Sequence, residues 1–286
     1  MNTHSPHTSV GLVGFGSMGA AMAKAMACSR EFPKRFSLRI LAKNKCAADG
    51  SEEGLVFTDT LKELVQQSDI IIIAVRPEQV EGLLYEIRNL MVGREPGPRK
   101  VLVSVAAGVP IDRLRRAAGN DPAVVRVMPN TLVEVGKGLF GLCAENANGV
   151  SISSEEKDLV RDLFAGLGTV VEIDESGMNA FTALAGCGPG FLFHIMDAFC
   201  EAGVSVGLGR GVSRSISVAL MEGCGTLASV TGRHPVMLRE QGTSPAGMTI
   251  AGLNHMDSTG LRGTLIDAVK IAAKQGERMD QDLGNE

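Results

Sequence analysis

The chain has 286 residues, 44% of them apolar and 21% charged, with a net charge of −4. That length fits one large or two ordinary domains with ample core, and the slight acidity argues against nucleic acid or an anionic membrane surface as partner. With aromatic residues at 4% and no tryptophan, stacking platforms for single strands are few, whereas 35 glycines point to tight turns and close helix contacts.

From the N-terminus, "MNTHSPHTSV" lacks the positive and apolar regions of a secretory leader and reads as a short frayed tail. "SVGLVGFG" reads as a buried strand running into a glycine turn, followed by the helical "SMGAAMAKAMA". "FSLRILA" is a second strand. "SDIIIIAV" is a third, too uniformly apolar for a sheet with one wet face, as expected of a parallel sheet covered by helices, and too short to span a bilayer. "PEQVEGLLYEIRNLM" is an amphipathic helix opening at Pro77. "KVLVSVAAG" and "AVVRVMPN" continue the series, and "GLFGLCAE" and "GTVVEID" close it. Between those two, Ser153 and Glu156 have capping-box spacing at the start of a helix that ends near Gly166 or Gly168.

Such repeated β–α units predict a doubly wound, mostly parallel Rossmann-type sheet. After Asp174 the strand signal stops and long helical patterns broken by glycine take over. The expected division is a dinucleotide-binding domain over residues 1–174 and an all-helical domain over 175–286. The helical half carries more apolar surface than a few helices can bury among themselves, which points to a homodimer.

"GFGSMG" places Gly14, Gly16 and Gly19 in G-x-G-x-x-G spacing around Ser17 and Met18. The motif is weak alone, but here it follows a strand and opens a helix in an α/β domain. Gly14 then makes the turn, Gly16 lets backbone approach a pyrophosphate, Gly19 permits close helix–strand packing, and the helix N-terminus faces the phosphates. At the end of the second strand, "LAKNKCAAD" offers Lys43, Asn44 and Lys45 with no acid at the tip, which favours the 2′-phosphate of NADP(H), NADPH before NADH. The turns holding Ala74, Arg76 and Pro77, and then Ala107, fall at carboxyl ends of strands, where such sheets bind ligands.

No lysine lies between Lys157 and Lys270, so a lysine acid from an interdomain helix is not on offer. His194, His234 and His255 are lone histidines on helical patterns, and no metal-ligand spacing occurs. The six cysteines (Cys28, Cys46, Cys143, Cys187, Cys200, Cys224) form no C-x-x-C pair and read as free thiols in a reducing compartment, most simply the cytoplasm. In "QGTSPAGMTIAGLNHM", Thr-Ser-Pro-Ala-Gly stands directly before a helical run. Such a turn is either a helix cap or an anion cradle made of unpaired N–H groups.

"RVMPNT", "ALAGCGPGF" and "TSPAGMTIAGL", in that order behind the glycine fingerprint, resemble pyrroline-5-carboxylate reductases over nearly the whole length. The resemblance implies NAD(P)H-dependent reduction of L-1-pyrroline-5-carboxylate to L-proline, and an interlocked helical dimer that often assembles into decamers. It implies substrate carboxylate binding at Ser244, Gly247 and Met248, and a Thr249 hydroxyl that meets the ring nitrogen. Cys187 and Ala185 stand where the family often has serine, Leu132 where proline is usual, and Ala246 and Met248 where glycine and a small residue are frequent. Two other readings are a β-hydroxyacid dehydrogenase-like reductase, disfavoured by the missing lysine, and an NADP-binding sensor without turnover, suggested by Cys187. A panel of keto acids separates the first; NADPH binding without oxidation identifies the second.

Overall fold

The computed structural model describes residues 7–42, 55–92, 97–144 and 152–284. The chain divides into two compact units: residues 1–186 with 273–286, and residues 187–272.

The first unit is built on seven strands, β1 (Thr8–Val13), β2 (Phe36–Leu41), β3 (Ile70–Ile73), β4 (Val101–Ser104), β5 (Ala123–Met128), β6 (Gly138–Cys143) and β7 (Gly168–Glu172). They lie in the order β2-β1-β3-β4-β5-β6-β7. Every pairing is parallel except β5–β6, where Arg126 faces Cys143 and Val127 faces Leu142. The antiparallel step needs no long crossover: the chain leaves β5 through the 3-10 turn Thr131–Val135 and returns directly along β6.

Helices cover both faces. On one, α1 (Ser17–Cys28), the short α2 (Phe32–Arg35) and, past β6, α6 (Ser154–Ala165) pack Met22, Met26, Phe32, Leu163 and Phe164 onto Leu12, Ile70, Ile72 and Val103. On the other, α3 (Leu61–Gln67), α4 (Pro77–Met91) and α5 (Ile111–Ala118) pack Leu64, Leu84, Ile87 and Leu114 onto Ile71, Ile73, Leu102 and Val124. Alternate isoleucines of β3 thus enter opposite cores, and all four are fully buried. This is why "IIII" carries no polar position. At α6 the capping box forms: Ser153 Oγ accepts from the Glu156 N–H at 3.1 Å, and Glu156 accepts from the Ser153 N–H at 2.8 Å.

Beyond β7 the sheet unit continues through a 3-10 turn (Glu175–Gly177), α7 (Met178–Phe181) and a π-helical turn (Thr182–Gly186). Strand signal ends near Asp174, but three polar contacts keep this segment within the unit. Arg126, 2% exposed, pairs with Glu175. Asn130 Nδ2 donates to the Ala185 carbonyl at 2.9 Å. Asn179 Nδ2 donates to Asp280 at 2.7 Å, and Asp280 belongs to the last helix.

The second unit holds α8 (Gly188–Ser205), α9 (Arg210–Thr231), α10 (Pro235–Gln241), α11 (Met248–Ser258) and the first half of α12 (Leu261–Gly284). Close approach of α8 and α9 is set by small residues: Ser213 Oγ donates to the Cys200 carbonyl at 2.6 Å, and a Cβ on Gly203 would collide with that hydroxyl. Of residues 187–272 only Pro189, Ser213 and Ser217 are buried. Leu192, Phe193, Val212, Ile216, Leu227 and Val230 are all more than half or about half exposed. The stretch Glu175–Ser205 has the length and composition of a membrane-crossing helix, with 17% of its most apolar window buried.

Candidate active site

Strand β1 pairs with β2 on one side and β3 on the other, so the winding reverses between β1 and β3 and opens a crevice at their carboxyl ends. The glycine turn sits there. Gly14 has φ +102°, a left-handed geometry, and a Cβ on it would run into the Ala74 carbonyl. Its N–H donates to the Leu41 carbonyl at 3.0 Å, while Ala74 N–H donates to Val13 at 2.8 Å, so the turn is laced to β2 and β3. A Cβ on Gly19 would strike the Gly14 carbonyl, which fixes how closely α1 lies on β1. Around a Gly16 Cβ there is open space for 4 Å, and no side chain caps α1. Two glycines are thus demanded by packing and the third leaves room at an uncapped helix end, which fits a dinucleotide pyrophosphate.

Ser17 is exposed and Met18 half-buried in the first turn of α1. Ala74 lies just past β3, Arg76 is the exposed N-cap residue of α4, and Pro77 fills its first position. Ala107 is half-buried in the turn after β4, next to Gly108 with φ +71°. These residues share one edge of the sheet. Lys43 and Asn44 lie outside the described residues.

Gly19→Ala is expected to force α1 off β1, costing about 1–3 kcal/mol by overpacking and abolishing NADPH binding. Gly16→Ala is expected to leave the melting temperature unchanged yet weaken NADPH about tenfold or more, since its Cβ meets only the space a phosphate would fill. Thermal unfolding and NADPH fluorescence titration check both.

In the helical unit, Ser244, Pro245, Ala246 and Gly247 form a tight turn closed by the Gly247 N–H donating to the Ser244 carbonyl at 3.1 Å. Ala246 has φ +54°, at the position where such a turn favours glycine. Gly247 is the extended N-cap residue of α11, with no side-chain cap, and Met248 is 95% exposed. Thr249 is exposed in the first turn, and its hydroxyl takes no hydrogen-bond partner among the described residues. Thr243 Oγ1 instead donates back to the Arg239 carbonyl at 2.7 Å, stitching the turn to α10. The helix entry therefore presents free donors around Ser244, Met248 and Thr249, with the Gly247 N–H engaged inside the turn.

A cavity of about 360 Å³ lies elsewhere, lined by Leu142, Ala144, Lys157, Glu172, Ile173 and Asp174. Its charges serve one another: Lys157 Nζ meets Glu172 at 2.9 Å and Arg161 pairs with the same carboxylate. Lys157 first, then Arg161, hold the Glu172 carboxyl below its ordinary range. Among the described residues no cluster of three or more His, Cys, Asp or Glu could hold a metal.

One buried polar residue escapes motif reading. Asn130, 2% exposed at the carboxyl end of β5, accepts from the N–H groups of Leu132 (3.2 Å) and Leu139 (3.1 Å) while donating to Ala185. Its place in "RVMPNT" was the signal; its partner 55 residues on has no periodic trace.

Sheet, glycine turn and helical unit define an oxidoreductase of the two-part dinucleotide-binding class. A family model described as NADP oxidoreductase, coenzyme F420-dependent, matches residues 9–108, and one described as pyrroline-5-carboxylate reductase dimerisation matches residues 175–279. The chain is 32% identical over 273 residues to pyrroline-5-carboxylate reductase of Arabidopsis thaliana, covering 95% of each. It is 31% identical to that of Aquifex aeolicus, over 94% of this chain and 97% of the relative. The crystal structure of Plasmodium falciparum pyrroline carboxylate reductase with NADP bound is 27% identical, with a TM-score of 0.81, covering 96% of this chain and 98% of that one. The chain belongs to the pyrroline-5-carboxylate reductase family.

Proposed function

We propose that this chain reduces L-1-pyrroline-5-carboxylate to L-proline, the last step of proline biosynthesis, with NADPH as its preferred reductant. Full-length family membership beside an uncapped threonine turn carries the reading. Gly14, Gly16, Ser17, Met18 and Gly19 would hold the pyrophosphate. Lys43 and Asn44 would take the 2′-phosphate, and Ala74, Arg76, Pro77 and Ala107 would line the remaining carboxyl edge. When bound, the reduced nicotinamide supplies a hydride.

The Ser244 hydroxyl and the N–H groups of Gly247 and Met248 hold the substrate carboxylate at the start of α11. Helix-end stabilisation of an anion is worth roughly 0.3–1 kcal/mol when exposed and ~2 kcal/mol when partly buried. The Gly247 N–H must be shared with, or released from, the Ser244 carbonyl to join in. Thr249 orients the ring nitrogen. A protonated imine is already electrophilic, so the protein's task is mainly placement.

The domains in this reading are residues 1–174 for the dinucleotide and 175–286 for dimerisation and substrate. The exposed apolar side chains of α8 and α9 are the homodimer face, and such dimers build the decamer of the same reading. A dimer face accounts for the apolar Glu175–Ser205 stretch without a membrane, and a cytoplasmic enzyme is the reading that unpaired cysteines support. Steady-state kinetics with pyrroline-5-carboxylate and both reduced cofactors test the proposal. NADPH oxidation dependent on the imine, with kcat/KM above that for NADH, is expected; binding of NADPH without oxidation under any imine supply overturns it.

A further inference from the structure

The link between "RVMPNT" and "ALAGCGPGF" lies in hydrogen-bond supply. In an uninterrupted helix the Ala185 carbonyl would accept from the N–H of residue 189, and that residue is Pro189, which has none. The next candidate, the Gly190 N–H, is turned to the Cys187 carbonyl at 2.9 Å. A buried carbonyl without a donor costs about 1–3 kcal/mol. The Asn130 carboxamide provides the donor at 2.9 Å, and its oxygen is occupied by two backbone N–H groups, so its orientation is set. Beside it, a Cβ on Gly186 would approach the Met128 methyl at 3.3 Å, so the turn lies against the end of β5. That edge, running from the Ala107 turn to Asn130, is where a doubly wound sheet receives the second half of a dinucleotide.

We propose that Asn130 is a positioning residue for hydride transfer: by bonding the carbonyl that Pro189 leaves without a helical donor, it fixes the π-turned Thr182–Gly186 segment as a wall of the nicotinamide side. The inference rests on the reductase reading above. Pro189 follows the π-turn and removes the helical donor to its Ala185 carbonyl, and a displacement of about 1 Å near reacting atoms lowers rate up to roughly a hundredfold.

The test compares wild type, Asn130→Ala, Asn130→Asp and the double variant Asn130→Ala/Pro189→Ala, all below their melting temperatures. Asn130→Asp keeps the oxygen that accepts from Leu132 and Leu139 but sets a carboxylate oxygen against the Ala185 carbonyl. The double variant returns a backbone N–H to residue 189 without restoring the tie to β5. In all three, kcat is expected to fall about tenfold or more and KM for NADPH to stay within about twofold. The double variant is expected to regain part of the melting temperature lost in Asn130→Ala, the Leu132 and Leu139 N–H groups still lacking their acceptor, but not kcat. Hydrogen exchange of the peptide Ala183–Phe191, measured without ligand, is expected to quicken in Asn130→Ala. Recovery of kcat together with melting temperature would make the residue merely structural and overturn the proposal, as would unchanged exchange in that peptide. If wild type itself fails to oxidise NADPH with the imine, the reductase reading falls, and the exchange result alone decides whether Asn130 holds the turn.

Discussion

Thr249→Ala will lower kcat/KM for pyrroline-5-carboxylate about 100-fold, while the melting temperature and NADPH affinity stay at wild-type values. Thr249 is solvent-exposed in the first turn of α11 and its hydroxyl bonds nothing among the described residues, so its removal leaves no buried group unsatisfied. Exposed substitutions of this kind stay within about 0.5 kcal/mol of neutral. The loss arises because a ring held only by its carboxylate can rotate its nitrogen away from the productive pose. Thr249→Ser, which keeps the hydroxyl, is expected to recover most of the rate. Steady-state kinetics with thermal unfolding check both variants; full kcat/KM in Thr249→Ala would remove the residue from the mechanism.

The second large effect concerns assembly. Ile216 and Leu220 lie four residues apart on α9 and are 50% and 45% exposed in the single chain. No leucine, isoleucine, valine or phenylalanine of residues 187–272 is buried, so this unit has helices but no core of its own. Burying one such side chain is worth about 1.5–3 kcal/mol, and a second copy is the surface that the dimerisation model over residues 175–279 implies. Ile216→Asp/Leu220→Asp is therefore expected to sediment as a monomer and to lose cooperative unfolding of the helical half. Analytical ultracentrifugation with circular dichroism measures this. A double variant that remains assembled would assign the dimer face to other helices.

Much of the sheet was legible in local pattern. Four consecutive isoleucines without a polar break mean a strand covered on both faces, and the split of Ile70 and Ile72 from Ile71 and Ile73 realises it. The role of Gly19 follows from spacing because its collision is with the Gly14 carbonyl in the adjacent turn, whereas Gly14 collides with Ala74 on the far side of β3. Ser153 and Glu156 announce a cap for the same reason. What escaped was non-local or unperiodic. The antiparallel β6 reads like its parallel neighbours, since apolar composition does not encode direction. The pair Arg126–Glu175 and the tie from Asn130 to Ala185 join residues 49 and 55 positions apart, and they carry the compact sheet unit past Asp174 to Gly186. At the turn Ser244–Gly247 the donors are legible, but the left-handed Ala246 and the Gly247 N–H already spent on Ser244 are details of the turn's conformation that residue types alone do not announce.

The bond from Asn179 to Asp280 spans 101 positions, and residues 273–286 complete the unit that begins at the N-terminus. The nucleotide-binding half is therefore not whole until α12, which follows the entire helical unit in the chain, has docked. Without that stretch Asn179 loses its acceptor, so the loss would be felt 101 positions back, in the segment just past β7.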